Sequence, residues 1–286
     1  MRLAFKDGGS NMFREEPDLL GKIGPADKWV NYGGHRIWHA PEVMPRTYEP
    51  DNSPVVEKSY DDGALVLRQP IEPNTGIGKQ LVITLGKSDK PVVQVDHILV
   101  NHNAWPIELA PWALSVVAPG GRVILPQEPF HGHGEDDKFL PVRPLVLWSF
   151  TDMADPRWTW GSKYIQLRSD ASCATPQKVG LFNSLGWGAF QDAGGDLFIK
   201  FLDTEELIPE DFTDMGSNFE IFTKGDFEEL ESLGPLELLE PGEEAIHTEQ
   251  WVLVRKPGLP KHDADLAEEM PAIVEGARKL LAESFG

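Results

Sequence analysis

Residues 97–127, HILVNHNAWPIELAPWALSVVAPGGRVILPQ, are the stretch whose reading decides the fold. From 97 to 103 the side chains alternate in a β-rich setting around Ile98 and Val100, as a half-buried strand requires. Trp105-Pro106 interrupts that run, and 109–117 is a second apolar run carrying Trp112, Leu114 and Val116. Pro119-Gly120-Gly121 then turns the chain into a third run at 122–125. Pro106, Pro111, Pro119 and Pro126 punctuate these runs, and proline, lacking an N–H, is kept out of central ladder positions. The pattern predicts an antiparallel meander, with Asn101, His102, Trp112 and Arg122 on strands or at their ends.

The flanks read as more of the same sheet system. Upstream, 2–5 is a short strand and 29–38 (WVNYGGHRIW) a strand pair broken by Gly33-Gly34. Further strands are expected at 55–60, 64–69, 79–85 and 92–99. Downstream, 128–143 is a polar loop, 145–150 an apolar run, and 151–160 irregular or one helical turn. Short strands follow at 164–168, 178–185, 187–191, 196–201, 218–223, 227–232 and 245–255. Turn signals about every 8–12 residues indicate a sandwich or barrel and not βαβ units. Only 263–285 reads as a helix, with Ala267, Met270, Ile273, Ala277, Leu280 and Leu281 at helical spacing and Pro271 opening its main segment. The expectation is one mostly-β domain over 1–260 with a C-terminal helix, 261–286, packed on it.

Composition narrows the partners. A net charge of -20, from 26 basic and 46 acidic residues, argues against nucleic acid and anionic membrane surfaces. Cys173 is the one cysteine, so neither an intrachain disulfide nor a cysteine zinc site is available. No run approaches the ~18 apolar residues of a membrane span. The first 13 residues lack the apolar core of a signal peptide, and a cytoplasmic protein is expected. Nine tryptophans suit a core, but indoles also serve flat apolar ligands such as sugar faces.

Four constellations could carry chemistry. In GGHRIWHAPE (33–42), strand geometry points His35, Ile37 and His39 one way and Arg36 and Trp38 the other. An ordinary hydrogen-bonded strand would explain this. As a pocket wall, Arg36 would donate to hydroxyl or carboxylate oxygens, Trp38 would offer a face, and His39 or Glu42 would serve as acid or base. In FHGHGED (130–136), His131 and His133 on a strand would share a face that Glu135 could complete as a metal triad; a solvated loop is the plainer reading. In ELESLGPLELLEPGEEAIHTEQW (229–251), Glu229 and Glu231 share a face opposite Leu230, and neighbouring carboxylates raise one another's pKa. A solvated acidic edge is the alternative. Lys178, two residues before Gly180 and ahead of Gly186-Trp187-Gly188, is either solvated or a ligand contact. No P-loop, Rossmann fingerprint, GxSxG or HExxH occurs.

Taken together, GGHRIWHAPE, VNHNAWPIELAPWALSVVAPGG, KVG…GW and ELESLGPL…PGE…W resemble a family of the DUF4380 type. That family is similar to the galactose mutarotase-like, or aldose 1-epimerase-like, β-supersandwich, and the resemblance runs from about residue 2 to 256. It implies a large antiparallel sandwich that binds a sugar or uronate on its concave face, without a cofactor. Residues 2–13 resemble the second strand of such a domain, so an N-terminally short chain is expected. In the resembling epimerases a glutamate base and a histidine acid flank the ring oxygen. Glu231 matches the base, with Glu229 beside it, and Arg36 matches the sugar-contacting arginine. The acid's position falls near Trp112, which departs from the pattern and leaves His39 or His102 as substitutes. His35, Trp38, Glu42 and Asn101 would complete the binding surface with Trp112, Lys178 and Trp187. Three readings remain: an enzyme epimerising, eliminating or hydrolysing a saccharide; a non-catalytic sugar-binding protein; and a metal-dependent cupin-like enzyme using His131, His133 and Glu135.

Overall fold

Strand propensity and turn chemistry give seventeen strands among the residues described by the structure, a computed structural model: 1–25, 27–61, 63–87, 90–133, 139–255 and 259–285. They are β1 (Gly34–Ala40), β2 (Glu57–Asp61), β3 (Ala64–Arg68), β4 (Ile77–Leu85), β5 (Val92–Asn101) and β6 (Ile107–Val117). Next come β7 (Arg122–Pro126), β8 (Leu145–Leu147), β9 (Trp158–Trp160), β10 (Tyr164–Arg168), β11 (Gln177–Leu181) and β12 (Trp187–Gln191). Last are β13 (Leu197–Phe201), β14 (Phe219–Lys224), β15 (Phe227–Leu233), β16 (Glu237–Leu239) and β17 (Glu244–Val254). One sheet runs β1-β6-β15-β14-β11-β8, with β16 also on β6; the other runs β2-β3-β4-β5-β17-β13-β12-β7-β10-β9.

The central stretch is not a meander. β5 and β7 belong to the ten-stranded sheet and β6 to the seven-stranded one, so the chain crosses between layers at Trp105-Pro106 and again at Pro119-Gly120-Gly121. The first crossing is pinned by Asn101, whose Nδ2 donates to the carbonyls of Trp105 (3.0 Å) and Leu239 (2.9 Å). Pro111 lies inside β6, paired with His39 of β1. On its other side β15 ends opposite Trp112 and β16 resumes opposite Leu109, while Gly234 N donates to Pro111 O at 2.8 Å. The missing N–H thus falls where one partner strand hands over to the next.

Alternating side chains fill the space between the sheets. Leu230, Phe219, Val179 and Val117 of one layer meet Phe198, Trp251, Phe190 and Val123 of the other. The far face of the ten-stranded sheet is covered by the helix Asp263–Phe285, whose Leu266, Met270, Val274, Ala277 and Leu281 pack on Ile199, Trp187 and Val252. Pro271 lies within that helix and does not open it. Its first residue, Asp263, is docked on the segment leading into β10, its carboxylate accepting the backbone N–H groups of Ser162 and Tyr164.

Other expectations shift. Residues 2–5 form no strand, although Leu3 is buried and its carbonyl accepts Met12 N at 2.8 Å. The pair expected at 29–38 is one strand beginning at Gly34. Gly33 has φ 70°, and a Cβ there would meet the Arg14 carbonyl oxygen at 2.4 Å, so the turn needs glycine. β9, a three-residue edge strand, forms where an irregular segment was expected, and β16 was not foreseen. Among the described residues, no helix is long and apolar enough to cross a membrane.

Candidate active site

Period two and register sort the polar residues of β1, β6 and β15 onto two faces. Leu230 and Ile37 point into interlayer cores, so their neighbours Glu229, Glu231, Arg36 and Trp38 face outward from the seven-stranded sheet. Arg36, Leu114, Glu231 and Glu220 are successive register partners across β1, β6, β15 and β14. Trp38, Trp112 and Leu233 form the next row.

Fully buried Glu231 and Glu220 flank one lysine on this outer face. Lys178 Nζ lies 3.0 Å from Glu231 Oε2 and 2.7 Å from Glu220 Oε2, between the indoles of Trp112 (4.7 Å to the centroid) and Trp148 (4.8 Å). Trp112 Nε1 donates to the same Glu231 oxygen at 2.9 Å, and Glu231 Oε1 is buried without a partner. Burial alone would lower the Lys178 pKa, but the two carboxylates outweigh it and raise it. Burial pushes Glu220 well above its ordinary value, with Glu231 and Asp214 adding to the effect against Lys178. Half-buried Glu229 is pushed up to about 8, by burial first and by Glu231 second. Asp214, raised by burial, arrives on a left-handed turn: Asp214 (φ 51°) and Met215 (φ 56°) precede Gly216 (φ 90°). Left-handed non-glycine residues cost about 1–3 kcal/mol each and gather at functional sites.

Above this cluster opens a cavity of about 360 Å³. Its walls are aromatic (Trp29, Trp38, Tyr48, Trp112, Trp148 and Phe222), and Lys178, Glu42 and Glu229 reach it. Trp29 meets Trp38 edge-on at 5.1 Å and covers the Arg36 guanidinium at 4.7 Å. The indole nitrogens of Trp29 and Trp38 and Arg36 Nε and Nη1 are buried without hydrogen-bond partners. Buried polar groups are normally paired, so these donors are candidates for contacts to a bound molecule.

On the inner face lies a second ionic cluster. Glu249 Oε1 accepts from Ser232 Oγ (2.5 Å) and Lys200 Nζ (2.7 Å), and its Oε2 accepts from Trp251 Nε1 (2.6 Å). His97 Nδ1 donates to His247 O at 2.8 Å, so its Nε2 accepts His35 Nε2–H at 2.6 Å, and Ser115 Oγ donates to His35 Nδ1 at 2.9 Å. Since Ser232 spends its proton on Glu249, His247 Nε2–H donates to Ser232 Oγ at 2.8 Å. Burial lowers all three histidines, His247 to about 3, so each is neutral. His35, His97 and Glu249 also bring metal-type ligand atoms within 4.8 Å of one another, the one such group among the described residues. A divalent cation there would sit beside charged Lys200 and compete for a carboxylate whose oxygens are already taken. The donor set fits hydrogen bonding better.

The remaining predicted residues lie apart from the outer cluster. His39 faces inward, its Nε2 3.1 Å from Glu72 Oε2, which belongs with Lys79 to a separate buried ion group. His102 is exposed on the turn after β5, and Asn101 pins the layer crossing. Glu42 reaches the cavity rim and accepts the Tyr48 hydroxyl proton, whereas Trp187 is buried beneath the C-terminal helix. His131 and His133 are exposed on an irregular loop, not on a strand, and Glu135 lies outside the described residues. Sequence reasoning missed Glu220, Asp214, Trp29 and Trp148. Glu220 had a signal, a lone acid between apolar neighbours in FEIF; Asp214 had none.

No protein-family model matches the chain, and no curated protein matches it. Solved structures do. A putative aldose 1-epimerase from Klebsiella pneumoniae superposes on 93% of this chain and 76% of its own, with TM-score 0.55 and 11% identity. The Slr1438 protein of Synechocystis sp. PCC 6803 matches 87% of this chain and 86% of its own, with TM-score 0.52 and 9% identity. A TPR-domain containing protein from Parabacteroides distasonis matches 90% of this chain at TM-score 0.51 and 13% identity, but this chain spans only 45% of that protein. At these identities the likeness is one of fold: a galactose mutarotase-like antiparallel β-supersandwich with a C-terminal helix.

Proposed function

We propose that the outer-face cavity binds a sugar or uronate and that Glu231 and Glu229 open its ring by base and acid catalysis, as a mutarotase-like isomerase does. The observation that carries this reading is the pair itself: two carboxyl groups on one strand face in unlike surroundings, below an aromatic-walled cavity. A carboxyl group that keeps its proton beside another with an unpartnered oxygen offers an acid and a base on one face. Glu231 is a carboxylate held on Oε2 by Lys178 and Trp112, with Oε1 unpartnered. Glu229, with a pKa of about 8, keeps its proton at neutral pH.

In the reaction Glu231 takes the proton of the anomeric hydroxyl while Glu229 gives its own to the ring oxygen. The bond between the anomeric carbon and the ring oxygen breaks, leaving an open-chain aldehyde. Rotation about the first carbon–carbon bond and reclosure, with both protons returned, yields the other anomer. Glu229 here takes the acid role expected of His39 or His102. Trp112, at the position matched to a histidine, would orient the base. The DUF4380-type resemblance, carried by the sequence motifs, favours the same class of ligand.

A second reading follows from one observation: Trp112 and Lys178 reach the cavity, but Glu231 lies beneath them and does not. Binding without turnover would result if that cover never lifts. Proton NMR with a panel of monosaccharides and uronic acids separates the two, since saturation transfer reports binding and exchange between anomeric signals reports turnover. Accelerated exchange for one sugar supports the enzyme, and binding alone supports the second reading. Absence of both across the panel would refute a carbohydrate site.

A further inference from the structure

Arg36 is a cation without a counter-ion. Among the described residues its guanidinium makes one hydrogen bond, Nη2 to Asn31 Oδ1 at 3.2 Å, and no ion pair. Its Nε and Nη1 are buried with no partner. Asp51 and Glu229 act on it only from beyond contact, and Glu229 is protonated at neutral pH. Lys178 on the same face is matched by two glutamates. A chain with net charge -20 therefore keeps the Arg36 guanidinium without an ion-pair partner directly behind the Trp29 wall of its aromatic cavity, which Lys224 also lines. Buried charges are ordinarily paired because desolvation is costly, so this one is set for an anion brought from outside.

What stands between Arg36 and the cavity is Trp29. It lines the cavity, covers the guanidinium at 4.7 Å, and meets Trp38 at 5.1 Å and Tyr48 at 5.8 Å through ring edges. Its own indole N–H is buried and unpaired. The described residues around it, 16–25 and 27–32, form turns but no strand or helix, so turning the indole aside breaks no ladder.

We infer that Arg36 is the counter-ion for a carboxylate borne by the sugar, that the ligand class is accordingly the uronic acids and not the neutral aldoses, and that Trp29 is the gate over it. This rests on the proposed function in so far as the ligand is a sugar. A carboxylate matches the single guanidinium in charge and planar shape, whereas a sugar phosphate, with up to about two negative charges, would draw on Lys224 of the cavity lining as well.

Calorimetric titration of glucuronate and galacturonate against glucose, galactose and glucose 6-phosphate tests it. Uronates should bind about tenfold tighter than their aldoses, the margin of one charge-assisted hydrogen bond over a neutral one. That margin should vanish in Arg36→Gln, which should lose more affinity for the uronates than for the aldoses, and it should shrink with added salt in the unaltered protein. Trp29→Leu should tighten uronate binding; unchanged affinity would remove the gate. Equal binding of uronates and aldoses overturns the inference and leaves the sugar site standing, and preference for the phosphate overturns the carboxylate. Should Arg36→Gln fail to fold, salt-independent uronate binding by the unaltered protein decides against it. No binding of any sugar overturns the proposed function as well.

Discussion

Strand β15 carries a buried ionic cluster on each face, and the two are built from similar parts to opposite ends. Inward, Ser232 joins Glu249, Lys200, Trp251 and three histidines; Glu249 has donors on both oxygens, and each imidazole proton has a single acceptor. Outward, Glu231 has two donors on one oxygen and none on the other, and Arg36 has two idle nitrogens. A closed network in a low-dielectric interior specifies and rigidifies a core. An open one keeps free energy in reserve for whatever completes it. The distinction rests on which atoms lack partners, because burial and charge are alike in both.

The largest expected effect falls on the closed cluster. Lys200→Met strands the Glu249 carboxylate inside the sandwich, and removing one partner of a buried pair costs about 3–5 kcal/mol. Urea unfolding should register that loss while sugar affinity of the folded fraction stays unchanged. A loss below about 1 kcal/mol, the worth of a surface pair, would mean that the inner cluster is not the structural one.

Glu231→Gln should do the converse. It keeps the shape and the Trp112 contact but removes the base, so anomer exchange should fall by about a hundredfold or more. The variant also removes one of the two carboxylates that hold Lys178, so some stability should go, but less than in Lys200→Met, because Lys178 keeps Glu220 at 2.7 Å. Full exchange activity in this variant would take the base role from Glu231. Ser232→Ala comes next in size. It leaves His247 Nε2–H without its acceptor and Glu249 without one donor, a penalty of about 1–3 kcal/mol in stability with exchange kinetics retained.

How much of this division was legible in the sequence depends on distance along the chain. Period two alone separates Arg36 and Trp38 from His35 and His39, and it groups Glu229 with Glu231. It assigns a face but not a partner sheet. β5, β6 and β7 are consecutive, yet the middle one belongs to the opposite layer, a choice made by the Trp105-Pro106 and Pro119-Gly120-Gly121 crossings. The same limit hid the closed cluster, because His247 meets His97 only through the register of β17 on β5, 150 residues apart. Trp187, flanked by glycines, has the sequence surroundings of a pocket wall, but the apolar stripe of the C-terminal helix covers it. Asp214 depends on a left-handed backbone turn that continues through Met215, a residue that does not favour it, so the local sequence does not announce the turn.

The clusters should also respond to pH with opposite sign. His35, His97 and His247 are neutral in the fold at pH values where the unfolded chain protonates them from about 6.5 downward, and His247 resists protonation to about 3. In that window the unfolded state binds more protons, so the closed cluster loses stability as pH falls from about 6.5 toward about 3. Glu249, held below its ordinary value by Lys200 and the histidines despite its burial, adds to the same acid loss. Glu229 does the reverse. It keeps its proton up to about 8 against an ordinary 4.5, so between those values the folded state binds more protons and stability declines as pH rises. Glu229→Gln should therefore flatten the alkaline limb of a stability–pH curve measured by urea unfolding, leave the acid limb in place, and exceed the unaltered protein in stability above pH 8. Exchange activity of the unaltered protein should hold through that window and fall as pH rises past about 8, where the folded acid loses its proton. Parallel stability curves for the two proteins at every pH would show that Glu229 ionises normally, and the open cluster would then lack the acid on which its chemistry depends.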